Sequence, residues 1–542
     1  MDHERHPEAD ARVDTEPVVT VAGGGPVGAM LALELGRRGV PTLLLDDRST
    51  IEHRPKAQLV NARSMEHFRR LDLADELRTR APLPATWPMS VIFAESLTGR
   101  ELHRFEVPSA AELRRFPLGA EPPQRVPQYV VEELLREAVA ACPLVQRRFG
   151  VQVTDVTHAD DHVVATYRDE RGHDRAVRSR WLVGADGARS TVRERLGIAL
   201  DGTPGPVAQL GIFFRSAELK ELHDKGPAVF YFVVGGRQPG LLGPVDAHDR
   251  WWFQVAGLDP ATDVATLDPS QILRAAVGRD FPHEVTAVVP WRWGLFLARR
   301  FGSGRVWLAG DAVHQHPPTG GFGMNTGIGD AVDLGWKLAA CHAGWGGPAL
   351  LASYETERRP IAARVIEEAG ANMRGLGRTL RAATSPAGDE IARNTGKEFA
   401  TFGIQLGYRY ARSPIVVGDG TPEPPWETST YEPSAWPGCR LPHAWLAPGH
   451  GPGASLYDRL GPWFTLLDLG GEPHATGALR AAFDTAGVPL AVVHVDDPTL
   501  HRQCAADLVL VRPDQHVAWR GATLDRARAA IVCATVTGHV PR

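Results

Sequence analysis

A glycine-rich segment near the start of the chain constrains the fold more than any other feature. Gly23, Gly25 and Gly28 have the spacing G-x-G-x-x-G. A strand-like apolar run at residues 18–22 precedes them, and a helical pattern through Arg38 follows. In this context the first glycine permits a tight turn, the second lets the backbone approach a pyrophosphate, and the third lets helix pack on strand.

A second apolar run, at residues 40–45, ends in Asp46. Asp46 follows the glycine motif at close to the distance of about 20 residues at which an acid of such a unit accepts hydrogen bonds from a ribose. Because strand, helix, second strand and acid all occur in order, the segment predicts a dinucleotide-binding βαβ unit.

A second constrained segment lies far downstream and begins with Gly310 and Asp311. It joins a strand-like run at 305–309 to a helix-like run at 327–340 through a loop rich in proline and glycine. A carboxylate at a strand end can accept hydroxyl hydrogens, and a helix N-terminus with free N–H groups attracts negative charge. We therefore expect the two distant segments to hold one cofactor.

Composition excludes several classes of protein. The 542 residues are enough for about three domains, and 43% hydrophobic with 23% charged residues is typical of a globular chain. A net charge of −5 gives no reason to expect nucleic acid or an anionic membrane, and no apolar run approaches the roughly 20 residues of a membrane helix. Five scattered cysteines without C-x-x-C predict no disulfide framework or zinc site, which favours the reducing cytoplasm.

The predicted organisation is an α/β chain of several parts. Residues 1–16 read as a disordered tail. Residues 17–200 and 300–385 would form the cofactor domain, and the aromatic-rich strands of 201–299 a sheet domain inserted between its two parts. Residues 386–430 read as a linker, and 431–542 as a small α/β module.

These motifs in this order resemble the FAD-dependent aromatic hydroxylases typified by para-hydroxybenzoate hydroxylase. The glycine motif is followed by an "Asp-Gly" block at 184–190, then by Gly310-Asp311, and by a helix ending at 353–360. Residues 431–438 and 510–514 are similar to the larger members, the phenol, hydroxyphenylpropionate and polyketide hydroxylases, which carry a thioredoxin-like C-terminal domain. The resemblance implies a Rossmann-like FAD-binding domain, an inserted mixed β-sheet substrate domain and a thioredoxin-like tail. Without C-x-x-C, the tail is expected to be structural.

The resemblance also implies which residues hold FAD. They are Gly23, Gly25, Pro26, Val27, Gly28, Asp46, Asp47, Arg54, Lys56, Gln128, Asp186, Gly310, Asp311, Pro318, Gly321, Gly323, Met324 and Asn325. Lys56 departs from the family's usual arginine and loses its bidentate fork. Asp47 departs as well, because an arginine often follows the ribose acid and here Arg48 comes one place later.

The activity implied is hydroxylation of a phenolic acid or a polycyclic aromatic polyketide through a hydroperoxide at flavin C4a. NAD(P)H would be a transient co-substrate, in agreement with the lack of a second dinucleotide motif. The aromatic strands indicate Phe213, Tyr231 and Trp252, together with Pro318, as substrate contacts. Only one face of each strand can contact the substrate. No residue is identified as the catalytic base.

Several alternatives stay open. The same fold can perform epoxidation or Baeyer–Villiger oxygenation, and a reductase without oxygen insertion or a protein that only binds flavin would share the cofactor motifs. A homodimer is also left open. His314 and His316 have an H-x-H spacing, but no further ligands stand at metal-site spacing, so no metal is expected.

Overall fold

The structure is a computed structural model that describes residues 17–539 except 114, 206–208, 235–237, 257, 260, 381–385, 450 and 471–475. The predicted tail, residues 1–16, lies outside the described residues. The strands in chain order are β1 (Val19–Ala22), β2 (Thr42–Asp46), β3 (Leu59–Val60), β4 (Val91–Ala94), β5 (Glu101–Phe105), β6 (Gln124–Arg125), β7 (Val145–Phe149), β8 (Gln152–His158), β9 (Val163–Arg168), β10 (Asp174–Ser179), β11 (Trp181–Gly184), β12 (Leu200–Pro204), β13 (Gln209–Arg215), β14 (Phe230–Val233), β15 (Gly240–Pro244), β16 (Arg250–Val255), β17 (Glu284–Trp291), β18 (Gly294–Ala298), β19 (Gly302–Ser303), β20 (Val306–Leu308), β21 (His314–Gln315), β22 (Phe464–Asp468), β23 (Leu490–His494), β24 (Leu508–Val511) and β25 (Val517–Gly521).

The α-helices follow the same numbering. They are α1 (Pro26–Arg37), α2 (Ala62–Arg70), α3 (Ala74–Thr79), α4 (Gln128–Ala141), α5 (Thr191–Arg195), α6 (Pro269–Val277), α7 (Gly323–His342), α8 (Pro348–Leu380), α9 (Gly388–Phe399), α10 (Phe402–Leu406), α11 (Gly477–Thr485), α12 (Pro498–Cys504) and α13 (Arg526–Val536). None of the helices in the described part of the chain has the length and apolar character needed to span a membrane.

The cofactor domain is built on a six-stranded sheet in the order β19-β20-β11-β1-β2-β7. Strands β20, β11, β1, β2 and β7 run parallel, and only β19 is antiparallel to its neighbour. Helices α1, α4 and α7 pack together beside this sheet. Strands β1, β2 and β11 are apolar runs that are buried along their length, because the helices and residues of β8 and β9 pack into the same hydrophobic core as these strands. The carboxyl ends of the parallel strands therefore meet at one edge, where ligands bind in such folds.

The inserted domain is a seven-stranded sheet in the order β17-β13-β16-β15-β14-β4-β5. Its strands β4 and β5 come from residues 91–105, outside the range 201–299 that the sequence predicted for this sheet. Strand β4 pairs parallel with β14, and its four apolar residues are buried. The added strands satisfy backbone groups that β14 would otherwise present at a sheet edge.

The segment 386–430, predicted to be a linker, contains helices α9 and α10. Helix α9 packs on α8 and β5 through Ile391, Thr395 and Phe399, which recur every four residues and so share one face of the helix. The segment is thus part of the packed structure between the two larger domains.

The C-terminal module has a four-stranded sheet in the order β23-β22-β24-β25, with α11 packed against α13. Strands β22 and β23 are parallel, and β24 is antiparallel to both of its neighbours. Together with helices α11, α12 and α13, these strands make an α/β module within residues 431–542.

A buried ionic cluster joins this module to the cofactor domain. Arg512, which follows β24, donates to Glu357 at 2.6 and 2.9 Å, to Asp333 at 3.0 Å and to Asp514 at 2.6 Å. Lys337 donates to Asp333 at 2.7 Å. Burial by itself would raise the pKa of Glu357, and the charges of Arg512 and Lys337 hold it below its usual value. The carboxylates are buried away from water, so they need the charge of Arg512 to balance them. The packing of the C-terminal module on the cofactor domain therefore depends on Arg512.

Candidate cofactor site

The two predicted cofactor segments meet at the carboxyl edge of the six-stranded sheet. Helices α1 and α7 pack side by side, and the contact that brings their loops together is Val27. A Cβ on Gly310 would lie 3.0 Å from Val27 Cγ2, and one on Gly327 would lie 2.5 Å from the same atom and 3.1 Å from Gly310 Cα. Both positions are therefore restricted to glycine by the approach of the two segments.

The glycine loop itself shows two kinds of glycine. Gly23 has φ of +104°, and a Cβ there would lie 2.3 Å from the carbonyl oxygen of Ala185; a Cβ on Gly28 would lie 1.8 Å from the oxygen of Gly23. Gly25 has an ordinary φ of −69°, and the nearest heavy atom to a Cβ would be Arg48 Nη2 at 3.8 Å. The protein thus leaves room for a side chain at Gly25, and a close ligand, such as the pyrophosphate of FAD, gives a reason for its absence.

Asp46, at the end of β2, is buried under this loop. Its Oδ2 accepts a hydrogen bond from the Gly24 N–H, and its Oδ1 accepts one from the Arg48 N–H at 2.9 Å. The Arg48 guanidinium lies 3.5 Å from Asp46 and 3.4 Å from Glu132. Asp47 is exposed. Arg48, which the sequence treated only as a displaced arginine, is therefore a cation beside Asp46, and Arg136 Nη2 also lies 3.5 Å from this carboxylate.

Gln128 and Lys56 lie on the same side of the crevice. Gln128, the first residue of α4, accepts a hydrogen bond from the Ala57 N–H at 3.4 Å and donates to Glu132 at 2.7 Å. It thereby fixes the loop that carries Lys56. The charge of Lys56 acts on the carboxyl of Asp311, so these two residues, distant in sequence, lie near each other.

Arg54 takes a different position. It pairs with Glu52 and lines a cavity of about 470 Å³ whose wall also includes Phe213, Arg215 and Arg250. The structure places it against the inserted sheet and not among the residues of the glycine loop.

Asp311 lies in a short 3-10 turn, Gly310–Ala312, held from behind by Asp330. Asp330 accepts hydrogen bonds from the Gly310 N–H at 3.1 Å and from Arg358 Nε at 2.8 Å, and His314 Nε2 lies 2.8 Å from it. His314 thus has a structural partner, and among the described residues no group of three possible ligand side chains forms a metal site.

The environment of Asp311 indicates a deep crevice. Its side chain is open to solvent, yet the surrounding protein raises its pKa, an effect that His314 and Lys56 oppose. An open carboxylate enclosed by protein on several sides matches the floor of a cleft that admits a polar chain, such as the ribityl chain of FAD.

The N-terminus of α7 forms the far end of the crevice. Asn325 accepts a hydrogen bond from the Asn61 N–H at 2.9 Å and donates to the carbonyl oxygens of Leu59 at 2.9 Å and Gly321 at 2.7 Å. These bonds hold the helix start against β3. Next to it Met324 is buried, while Gly321 and Gly323 are half-buried and Pro318 is exposed at the loop tip. The first N–H groups of the helix can bind a negatively charged group there.

Asp186 contributes indirectly. Its carboxylate accepts hydrogen bonds from the Ser190 hydroxyl at 2.5 Å and from the Val192 N–H at 3.1 Å, so it stabilises the start of α5. The "Asp-Gly" block thereby orders the loop whose Ala185 contacts Gly23.

The proposed substrate contacts fall on two faces of the inserted sheet. Phe213 and Trp252 are cross-strand partners and share a face. The Trp252 ring lies 6.0 Å from that of Phe230, on the face that α8 and α9 cover. Tyr231 takes the opposite face, where it packs in the core beside α6 and its hydroxyl donates to the Gly226 carbonyl at 2.6 Å. Phe230 and Phe232, its neighbours along β14, lie on the face that packs against α8 and α9.

Comparisons with known proteins show the family of this chain. Residues 16–369 match the FAD binding domain family, and residues 434–539 match the aromatic-ring hydroxylase C-terminal family. The chain is 33% identical to the FAD-dependent monooxygenase apdD of Emericella nidulans over 95% of this chain and 90% of that protein.

Two solved structures extend the likeness over the whole fold. The rebeccamycin biosynthetic enzyme RebC with reduced flavin shares 37% identity, with a TM-score of 0.87 over 97% of this chain and 99% of that one. Aklavinone-11 hydroxylase in complex with FAD and aklavinone shares 30% identity, with a TM-score of 0.84 over 97% and 99%. With the cofactor crevice and the C-terminal module in place, this chain belongs to the FAD-dependent aromatic-ring hydroxylases, a family of flavoprotein monooxygenases.

Proposed function

We propose that this chain uses NAD(P)H and O₂ to hydroxylate an aromatic substrate, with a polycyclic aromatic polyketide favoured and a phenolic acid as the smaller candidate. The observation that carries the proposal is the meeting of the two distant motif segments, since a Cβ on Gly310 or on Gly327 would lie 3.0 or 2.5 Å from Val27 Cγ2. Its support from relatives is the aklavinone hydroxylase, a solved structure with FAD and a polycyclic substrate.

The residues of the crevice have separate tasks in this function. The Gly25 backbone and Arg48 would hold the pyrophosphate and adenosine end of FAD, and Asp311 would accept hydrogen bonds from the ribityl hydroxyls. The start of α7 would face the flavin ring, where its N–H groups and dipole stabilise negative charge on the reduced ring. Bound FAD supplies the transfer of hydride and the activation of oxygen.

The aromatic face of the inserted sheet would enclose the substrate. Phe213, Phe230 and Trp252 can pack against a flat ring system, while Pro318 lies at the loop beside the flavin end. Aromatic surfaces of this kind position a ring and exclude water from the reacting atoms. Three further assignments complete the proposal: homodimer formation, O₂ as the oxidant, and a cytoplasmic location, the last supported by five free cysteines.

The test is NAD(P)H oxidation by the purified flavoprotein, measured with a panel of polycyclic quinones and phenolic acids, with product masses recorded. We expect oxidation to be stimulated by at least one aromatic compound, whose product gains one oxygen atom. The same assay without an aromatic compound is the control. Bound FAD with no stimulation and no oxygen incorporated would favour the reductase alternative, and a lactone product would favour Baeyer–Villiger oxygenation.

A further inference from the structure

Glu398, near the end of α9, is a carboxylate without a counter-charge. Its Oε2 is buried and has no hydrogen-bond partner among the described residues. The backbone of Gly320 is the group that interacts with the carboxylate, so Glu398 reaches the loop that leads into α7. This is the loop that carries Pro318 and Gly321, at the flavin end of the cofactor crevice.

The neighbours of Glu398 give it no salt bridge. The elements around it carry several charged or titratable groups, which are Glu101, His103 and Arg104 on β5, Arg374 and Arg378 on α8, His316 in the loop, and Glu390, Arg393 and Lys397 on α9 itself. Among the described residues none of these forms an ion pair or hydrogen bond with Glu398, and Arg104 is engaged by Glu101 at 2.7 Å. Burial consequently raises the pKa of the Glu398 carboxyl to about 7.

A second unsatisfied acceptor lies at the same loop. His316 Nδ1 is 2.8 Å from the Pro317 carbonyl oxygen, which can only accept, so the ring carries its proton on Nδ1. His316 Nε2 therefore bears a lone pair, and it is buried with no hydrogen-bond partner in the described part of the chain. It would lie 3.8 Å from a Cβ on Gly323, the first residue of α7. Two buried acceptors around one loop suit a ligand that brings hydrogen-bond donors.

Glu398 precedes Phe399, which belongs to an aromatic cluster on the inserted sheet. The Phe399 ring lies 6.2 Å from that of Phe232, and the Phe232 ring lies 6.1 Å from that of Phe230, both as ring centroid distances. The end of α9 therefore carries both a ring of this cluster and the carboxylate that reaches the Gly320 loop.

We propose that Glu398 is the proton acceptor for a hydroxyl group on the aromatic substrate, which makes that substrate a hydroxyarene. The inference rests on the proposed function. The substrate O–H bond breaks, the proton forms a bond to Glu398 Oε2, and the electron pair stays on the substrate oxygen, from which it enriches the ring for attack by an electrophilic oxygen. Glu398 keeps partial access to solvent, to which it returns the proton between turnovers. A base with a pKa near the working pH is the most effective for this step.

The test compares the holoenzyme with its Glu398→Gln variant, and uses Glu390→Gln, an exposed residue on the same helix, as the matched control. The first readout needs no substrate: the infrared carbonyl band of a protonated carboxyl is followed from pH 5 to pH 9. We expect a band that titrates near pH 7 in the wild type and in the control and that is absent from the Glu398→Gln variant. An unchanged band in the variant would overturn the assignment.

The second readout is proton uptake when 4-nitrophenol binds to the oxidised holoenzyme at pH 8, measured with a pH electrode in unbuffered solution. Free 4-nitrophenol is largely ionised at this pH, and so is Glu398, whose pKa is about 7. Because two anions meet in the complex, we expect the wild type and the control to take up about one proton that Glu398→Gln does not take up. Equal proton uptake, or no binding of 4-nitrophenol by the wild type, would refute the role. Since neither readout measures turnover, a chain that lacked monooxygenase activity would contradict the proposed function separately.

Discussion

Replacement of Gly25 by alanine should leave the stability of the flavin-free protein unchanged while it weakens FAD binding. The nearest heavy atom to the added methyl group would be Arg48 Nη2 at 3.8 Å, an ordinary van der Waals contact, and the backbone φ of −69° suits alanine. We therefore expect the free energy of unfolding of the flavin-free protein to change by less than about 0.5 kcal/mol.

The same methyl group should weaken FAD binding. It would occupy space that the pyrophosphate needs, and a misfit of one methyl group in a packed contact costs about 1–3 kcal/mol. That cost corresponds to an increase in Kd of about 5- to 150-fold. The assay is titration of flavin-free protein with FAD, followed by quenching of flavin fluorescence, together with thermal unfolding with and without FAD.

Two controls make the outcome decisive. Gly477→Ala adds a methyl group with nothing within 4 Å, on α11 of the C-terminal module, and should leave both measurements unchanged. Gly28→Ala puts a Cβ 1.8 Å from the Gly23 oxygen and should destabilise the protein itself. An unchanged FAD Kd in Gly25→Ala would refute the argument that the cofactor occupies this space, and a large loss of stability without FAD would refute the packing on which it depends.

Three other substitutions test separate parts of the structure. Asp311→Asn removes the charge at the crevice floor and should weaken FAD binding by about 1.5–3 kcal/mol, measured by flavin release on dilution; retention equal to the wild type would exclude a direct contact. Arg512→Met leaves the buried carboxylates of Glu357 and Asp514 without their main cation and should lower the free energy of unfolding by about 3–5 kcal/mol, measured by denaturant titration. In the folded protein the pKa of Glu398 is about 7, above its ordinary value of 4.5. Between these pH values Glu398 is therefore protonated in the folded chain and ionised in the unfolded chain. Stability should therefore fall as pH rises from about 4.5 to 7, and Glu398→Gln should gain about 1–3 kcal/mol relative to wild type at pH 8 but not at pH 4; equal gains at both would contradict the burial of this carboxyl.

Local patterns predicted the cofactor domain well because its elements carry their own signals. The strand–glycine–helix order around Gly23 and the turn at Gly310 are set by short-range backbone requirements, which are visible in the sequence. Strands β4 and β5 were missed, because what makes them part of the inserted sheet is their pairing with β14 and not their local pattern.

The side-chain positions were less accessible to prediction. Alternation along β14 shows that Tyr231 and Phe230 face opposite ways, but it does not show which face covers the cofactor. Arg54 and Arg48 are similar in sequence terms, and only the path of the loop decides which of them lies beside Asp46. Glu398 stands in a segment that read as a linker, and the lack of a counter-charge is a property of its neighbours in space.

The ionic cluster around Arg512 has a consequence for the construction of chimeric hydroxylases. Residues 434–539 look like an exchangeable part, since they match a family of their own. Yet Asp333 and Lys337 belong to α7, the helix that begins at the proposed cofactor crevice, and Glu357 belongs to α8. A crossover placed between the domains would leave these groups facing a foreign surface, so a workable exchange has to transplant Arg512 and Asp514 together with their partners on both helices.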